Sequence, residues 1–315
     1  ISCLLLKITI FLTTNMKYTA ALLATAAFAH NNGGITVIEN GQATQRYIVS
    51  ADWAGSLIDV GGDSVTLRHN ARAYIATNAD DNLDADNYHQ YVLKDKTLSF
   101  DVDLNDISCS CNAALYTVSM PGLNWSWQPD PSSGGDYYCD ANQVGGVWCW
   151  EMDIMEANKY ASQTTPHNCN SPSGAYIDSC DRAGCGVNTH NWWDMGFGPG
   201  SQYRIDTDRP FTQWTTFNDG GIHVKLGQEG RYYDYDVCNS NPGYIWSMDS
   251  TFDSGMNIVL SHWGDSWNTM SWLDAMTGCQ GGCDGSGHVT WSNIKIYSNN
   301  NENTAEDHEA EMLLQ

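Results

Sequence analysis

The chain has 315 residues and a formal net charge of −23, with 42% hydrophobic residues, 11% aromatic residues and 29 glycines. A field of that sign repels nucleic acid, anionic lipid and polyanionic substrates, and leaves a neutral polymer as an acceptable partner. The apolar share is large enough for one sizeable core, so a folded globular protein is expected.

In chain order, "ISCLLLKITIFLTTN" precedes Met16, Lys17 follows it, and "AALLATAAFA" then forms an apolar run ending in the small-residue pattern Ala27, Phe28, Ala29. That run is too short to span a bilayer and has the layout of a secretory signal peptide. Residues 1–29 are therefore read as leader and signal peptide, and the protein as secreted, extracellular or cell-wall located. No other stretch is apolar enough to cross a membrane. Of eleven cysteines, Cys3 leaves with the leader. The remaining Cys109, Cys111, Cys139, Cys149, Cys169, Cys180, Cys185, Cys238, Cys279 and Cys283 are an even number, as disulfides in an oxidising compartment require. Zinc at "CSC" or "CQGGC" ranks below disulfides because no histidine pair has the matching spacing, and no metal or cofactor is expected.

Short strand-like runs follow: "RYIVSADW", "SVTLRH", "RAYIAT", "KTLSFDVDL", "ALYTVSM", "IHVKLG", "MNIVLSHW" and "HVTWSNIKIYS". Each is β-branched or aromatic and bounded by turn-forming residues. "TLSFDVDL" alternates best, with Leu98, Phe100, Val102 and Leu104 on one face. "DDNLDADN" at residues 80–87 lacks the glycine and glutamate of a calcium loop and reads as a solvated hairpin tip, with a weak calcium site as the alternative. No helical stripe extends beyond a few turns. The expectation is all-β, a two-sheet antiparallel jelly-roll sandwich. Residues 30–298 form one domain, and residues 299–315 an acidic disordered tail.

The chemistry-bearing stretch is "CWEMDIMEAN", residues 149–158, where Glu151, Asp153 and Glu156 stand among Trp148, Trp150, Met152, Ile154 and Met155. Two carboxylates about 5 to 5.5 Å apart can cleave a glycosidic bond with retention, one attacking and one donating a proton. On a regular strand Glu151 and Asp153 share a face and Glu156 points away. A bulge absorbing one residue between Asp153 and Glu156 would bring all three to one side. Crowding raises the pKa of at least one, so that one acid stays protonated while another is ionised. Asp153, between them, is placed to hydrogen-bond and orient Glu151. Spacing alone leaves a solvated acidic patch or a calcium site as alternatives.

"EMDIMEAN" resembles the EMDIWEAN signature of glycoside hydrolase family 7, the cellulases that include cellobiohydrolases and endoglucanases. "TPHNC" at residues 165–169 matches the TPHxC that follows it in that family. "LSFDVDL", "NAALYTVSMPG", "FGPGSQYRIDT", "GMNIVLSHWGDSWNTMSWLD" and "VTWSNIKIYS" resemble further family motifs in the same order, over about residues 46 to 298. The resemblance implies a jelly roll with a long substrate cleft, and assigns Glu151 as nucleophile, Glu156 as general acid and base, Asp153 as the carboxylate tuning the nucleophile, and His167 beside the acid/base. It puts Asn112 and Tyr116 on the cleft floor near the nucleophile, and Asp140 and Asn142 of "YCDAN" against sugar hydroxyls. Trp53, Trp263 and Trp272 become platforms on which the axial C–H faces of glucosyl rings stack. It also suggests pairing Cys139 with Cys149, Cys180 with Cys185, Cys109 and Cys111 with Cys279 and Cys283, and Cys169 with Cys238.

The sequence departs from the family pattern at Met155, where the signature has tryptophan, and in two places where loops are short: between "YCDAN" and "EMD", and between Cys185 and "FGPG". Gly55 stands where tunnel-type members carry a second tryptophan, and Val224 where they carry a product-holding arginine. An open cleft and internal cuts are implied. The expectation is thus a secreted, monomeric, retaining β-1,4-glucanase acting on β-1,4-glucan and cello-oligosaccharides. A cellobiohydrolase, or a carbohydrate-binding protein with little hydrolysis, is the alternative.

Overall fold

The structure, a computed structural model, describes residues 31–81, 83–189 and 195–300. The leader, the signal peptide and nearly all of the acidic tail lie outside the described residues. Strands dominate. The first seven are β1 (Asn31–Glu39), β2 (Gln42–Ser50), β3 (Ile58–Gly61), β4 (Ser64–Arg68), β5 (Ala71–Ala76), β6 (Lys96–Asp103) and β7 (Cys111–Val118). Then come β8 (Glu151–Ala157), β9 (Ser162–His167), β10 (Val187–Asn188), β11 (Phe197–Gly198), β12 (Ile205–Asp206), β13 (Phe211–Asn218), β14 (Gly221–Gln228) and β15 (Arg231–Val237). Three short helices, α1 (Pro242–Trp246), α2 (Asp249–Ser254) and α3 (Trp267–Asp274), surround β16 (Asn257–Gly264), and β17 (His288–Ser298) ends the described chain.

Hydrogen bonding runs unbroken through β10-β9-β8-β7-β16-β5-β2-β1-β17-β6-β13-β14-β15. The path folds over at β1, which pairs antiparallel with β2 along its length but meets β17 only at Ile38↔Lys295 and Glu39↔Ile296, in parallel. The two halves then face each other. The Gln213 side chain on β13 reaches Ile154 of β8, and Thr164 of β9 meets Tyr235 of β15. This is the expected sandwich, its two layers joined along one edge.

The alternation in β6 is realised. Leu98, Phe100, Val102 and Leu104 are buried in the interlayer core with Trp291, Ile35, Ile48 and Leu67. Burial of this apolar surface is the main favourable term for the fold. β7 is buried at every position, because one face packs in the core and the other lies under the cleft.

Five disulfides tie loops to this frame. Cys139–Cys149 pairs as the resemblance implied, and Cys109 and Cys111 reach the implied partners, as Cys109–Cys279 and Cys111–Cys283. The other two differ: Cys169 bonds Cys180 and Cys185 bonds Cys238, in place of Cys180–Cys185 and Cys169–Cys238. The reason is backbone pairing. The arms of the 168–181 loop run antiparallel, with Asn170 N–H on Ser179 O and Asp181 N–H on Asn168 O, which sets Cys169 opposite Cys180. Cys185 instead donates its N–H to Pro166 O beside β9, within reach of Cys238 just past the end of β15.

Candidate active site

The site begins with the backbone of β8. Against β7, Asp153 faces Tyr116 and Met155 faces Leu115, so Ile154 has no partner. Against β9, Asp153 faces Thr165 and Glu156 faces Gln163, again one residue too many on β8. This is the bulge expected from the spacing. Its carbonyl, Ile154 O, is caught by Thr164 Oγ1 at 3.0 Å and by Gln213 Nε2 at 2.8 Å from the opposite layer. Met152, Ile154 and Met155 then fill the core, while Glu151, Asp153 and Glu156 line a cleft of about 730 Å³.

Glu151 is almost fully buried, and its Oε2 accepts the Ala141 N–H at 2.9 Å. Burial raises its pKa well above the usual glutamate value, and the charges of Asp153 and Asp140 raise it further. Glu156 keeps a partly exposed surface, and its Oε1 accepts from Asn112 Nδ2 at 2.8 Å. Its pKa is also raised, by desolvation and then by the Asp153 charge, with Asn112 and His167 opposing.

Asp153 was expected to bond Glu151. Its Oδ2 is instead bonded to His167 Nε2, at 2.9 Å, and His167 Nδ1 bonds Asp181 O at 2.8 Å. An oxygen of Glu151 still lies within 4.8 Å of this pair. Burial alone would lower the pKa of His167, but the bond to Asp153 and its charge, helped by Asp181 O and Glu156, bring it to about 9. At neutral pH the ring is therefore a cation donating from both nitrogens. Gly184 packs against it: at φ +63° a Cβ there would sit 2.8 Å from His167 Cε1 and 2.6 Å from Pro166 O.

Tyr116, Asp140, Asn142, Trp53, Trp263 and Trp272 all line the cleft. Tyr116 OH bonds Tyr138 OH at 2.9 Å. Asp140 spends Oδ1 on its own loop, accepting the N–H groups of Asn142 and Val144, both at 2.9 Å. Trp53 is 48% exposed, Trp263 38% and Trp272 39%, so three indole faces are open to a ligand. Asn112 is placed differently from expectation. It is fully buried beneath Glu156, outside the cleft lining, because its strand position points it at the acid's Oε1.

Sequence reasoning missed several cleft residues. Arg72 lies 3.6 Å from the Tyr138 ring centroid and 5.0 Å from that of Trp53, and is paired with Asp136 at 3.0 Å. A lone arginine inside the apolar run "ARAYIA" was the available signal. Gln163 and Thr165 share the His167 face of β9 by the two-residue period, so the alternation could have found them.

Paired carboxylates in the floor of an aromatic-lined cleft on a β-sandwich define the class, a glycoside hydrolase. Residues 56–144 and 140–236 match Glycosyl hydrolase family 7, and the chain belongs to that family. Its relatives include endoglucanase EG-1 of Trichoderma longibrachiatum, 29% identical over 84% of this chain and 67% of that protein. Endoglucanase type C of Fusarium oxysporum is 31% identical over 66% of this chain and 64% of its own. The fold is shared with the Humicola insolens endocellulase EGI (TM-score 0.66, 21% identity, 84% of this chain and 96% of that one). It is also shared with a Daphnia pulex family 7 cellobiohydrolase (TM-score 0.62, 18% identity, 85% and 96%).

Proposed function

We propose that the protein is an exported, monomeric, endo-acting cellulase that hydrolyses β-1,4-glucan by double displacement. The observation that carries this reading is the Ile154 bulge, which turns Glu151 and Glu156 to one cleft between tryptophan platforms. Glu151 carboxylate attacks the anomeric carbon while Glu156 passes its proton to the leaving glycosidic oxygen, giving a glycosyl ester on Glu151. Glu156, now ionised, takes a proton from water; that water attacks the same carbon and releases Glu151, with net retention.

The division of labour follows from the partners. The Ala141 N–H favours the ionised form of Glu151, and the Asp153–His167 pair holds a fixed charge couple beside it. Glu156 has one oxygen on Asn112 and the other free to meet the leaving oxygen, and burial first, then the Asp153 charge, favours its protonated form. The Asp153 charge acts on Glu151 as well, so the Ala141 N–H is what distinguishes the nucleophile. Internal cutting is supported by the half-exposed tryptophans and by the short 140–151 connection, which leaves little chain to roof the cleft. Export is supported by five disulfides. No helix among the described residues is long and apolar enough to cross a membrane.

The test is reducing-sugar release from a soluble cellulose derivative and from mixed-linkage glucan, with viscosity and product anomer followed together. The reading predicts early loss of viscosity, a β-anomer formed first, and loss of at least about 10³-fold in rate for Glu151→Gln. An α-anomer, or a fully active Glu151→Gln enzyme, would refute it.

A further inference from the structure

The two most exposed large apolar side chains among the described residues lie away from the carboxylates. Trp125 is 80% exposed and Trp127 62%. Both stand on the tip "NWSWQ", residues 124–128, which is closed by the Leu123↔Pro129 bridge. The tip is held from within. Asn124 N–H donates to Gln128 O and Trp127 N–H to Asn124 O, both at 2.9 Å, while Asn124 Oδ1 accepts the N–H groups of Ser126 and Gln128. Trp127 takes a left-handed φ of +62°, uncommon for a bulky residue, so the turn presents the indole at a local conformational cost. Two rigidly presented tryptophans facing water are unfavourable for solubility unless they meet something.

Trp125 also lines a second cavity of about 220 Å³, together with Asn124, Asp130, Gln143, Trp148 and Tyr176, while Trp127 stands next to it on the same tip. Aromatic faces rimmed by amides and by the carboxylates of Asp130 and Asp178 suit a ligand with apolar C–H faces and equatorial hydroxyls. The cavity adjoins the cleft. On the 140–148 loop Asn142 and Val144 face the cleft while Gln143 and Trp148 face the second cavity. Arg182, a cleft residue, lies 5.0 Å from the Trp148 ring centroid.

We propose that Trp125, Trp127 and this cavity form a second binding site for a neutral glucan chain, reached from one end of the cleft across the Trp148–Arg182 contact. It rests on the glucanase reading for the identity of the sugar. It would hold a polymer on the enzyme while the catalytic cleft cuts another part of the same chain or surface.

The experiment compares the double variant Trp125→Ala/Trp127→Ala with wild type, each also in a Glu151→Gln background so that binding is read without turnover. Retention is measured by electrophoresis through gels containing soluble cellulose derivative and by depletion onto microcrystalline cellulose. Turnover is measured on a short soluble aryl cellobioside. The proposal predicts that glucan retention falls about five- to tenfold, from two lost stacking contacts, with aryl cellobioside kcat/KM unchanged. Trp125→Phe alone keeps most of the retention. Unchanged retention overturns the proposal. So does an equal loss of aryl cellobioside turnover, which would mean the tip only shapes the cleft. A glycan found on Asn124 of the Asn-Trp-Ser sequon, with no difference in glucan retention, would assign the tryptophans to the protein's own sugar and also overturn it. Failure of the glucanase reading is separate: it shows as absent hydrolysis by the wild type.

Discussion

Asn112 and Glu156 show how one buried hydrogen bond sets a catalytic pH range. The Asn112 amide donates to the ionised form of Glu156, so it lowers a pKa that desolvation and the Asp153 charge push up. Asn112→Leu, near in volume and unable to donate, removes that opposition. The Glu156 pKa then rises further, and because the acid must be protonated to act, the alkaline limb of kcat/KM moves to higher pH; a limb that stays put or moves down would contradict the assignment of Glu156 as the acid. At this scale the sequence was informative but incomplete. The three acids and His167 are legible as a motif. The contacts of Asn112 with Glu156 and of Asp153 with His167 depend on side-chain directions that spacing does not report.

The element that makes the site is the bulged β8, and its stability depends on the layer opposite. A bulge leaves a carbonyl out of the ladder, and an unmade buried hydrogen bond costs about 1–3 kcal/mol. Gln213, fully buried on β13, supplies one of the two donors to Ile154 O. Gln213→Leu leaves the Thr164 donor in place, so it is expected to destabilise the fold by about 0.5–1.5 kcal/mol, the net worth of one hydrogen bond. It should also lower kcat by about tenfold or more with KM little changed, because it shifts Glu151 relative to Glu156 without touching the tryptophans. Loss of Tm alone, with kcat intact, would show that the bulge holds without it. The bulge itself could be read from the sequence because acids at 151, 153 and 156 share a face in no other way. Gln213 could not, since its partner lies 59 residues away in the chain and in the other layer. The same limit explains the disulfides. Pairing of Cys169 with Cys180 follows from an antiparallel loop that no local pattern in the sequence announces.

At the scale of the molecule, the alternating runs gave the sandwich because half-buried strands leave a two-residue period. Strands such as β13 and β15, "FTQWTTFN" and "RYYDYDV", were missed because polar and aromatic residues mask that period. The closed core also carries an acid-sensitive group. His262 is fully buried on β16 beside His69, with ring centroids 5.4 Å apart. Burial first, then the His69 charge and more weakly that of His288, lower its pKa to about 4 against the opposing Leu67 backbone and Asp284 charge. A histidine lowered in the folded state is neutral there and charged when unfolded below pH 6.5, so its stability contribution is present above pH 6.5 and lost as pH falls toward 4. The loss is on the order of 3 kcal/mol for a shift of that size. His262→Leu should hold its Tm better than wild type across that window and differ less above it. A parallel fall of the two Tm curves from pH 6.5 to 4 would show that His262 is not the sensitive group.

The central claim is that Glu151 forms the covalent bond to sugar and Glu156 does not. An activated 2-deoxy-2-fluoro cellobioside slows the breakdown of such an intermediate, so it can be trapped and its position read by peptide mass spectrometry. The account predicts one adduct per active site, on Glu151, also formed in Asn112→Leu and absent in Glu151→Gln. An adduct on Asp153 or Glu156, or full turnover of the reagent with no adduct on any carboxylate of β8, would contradict it.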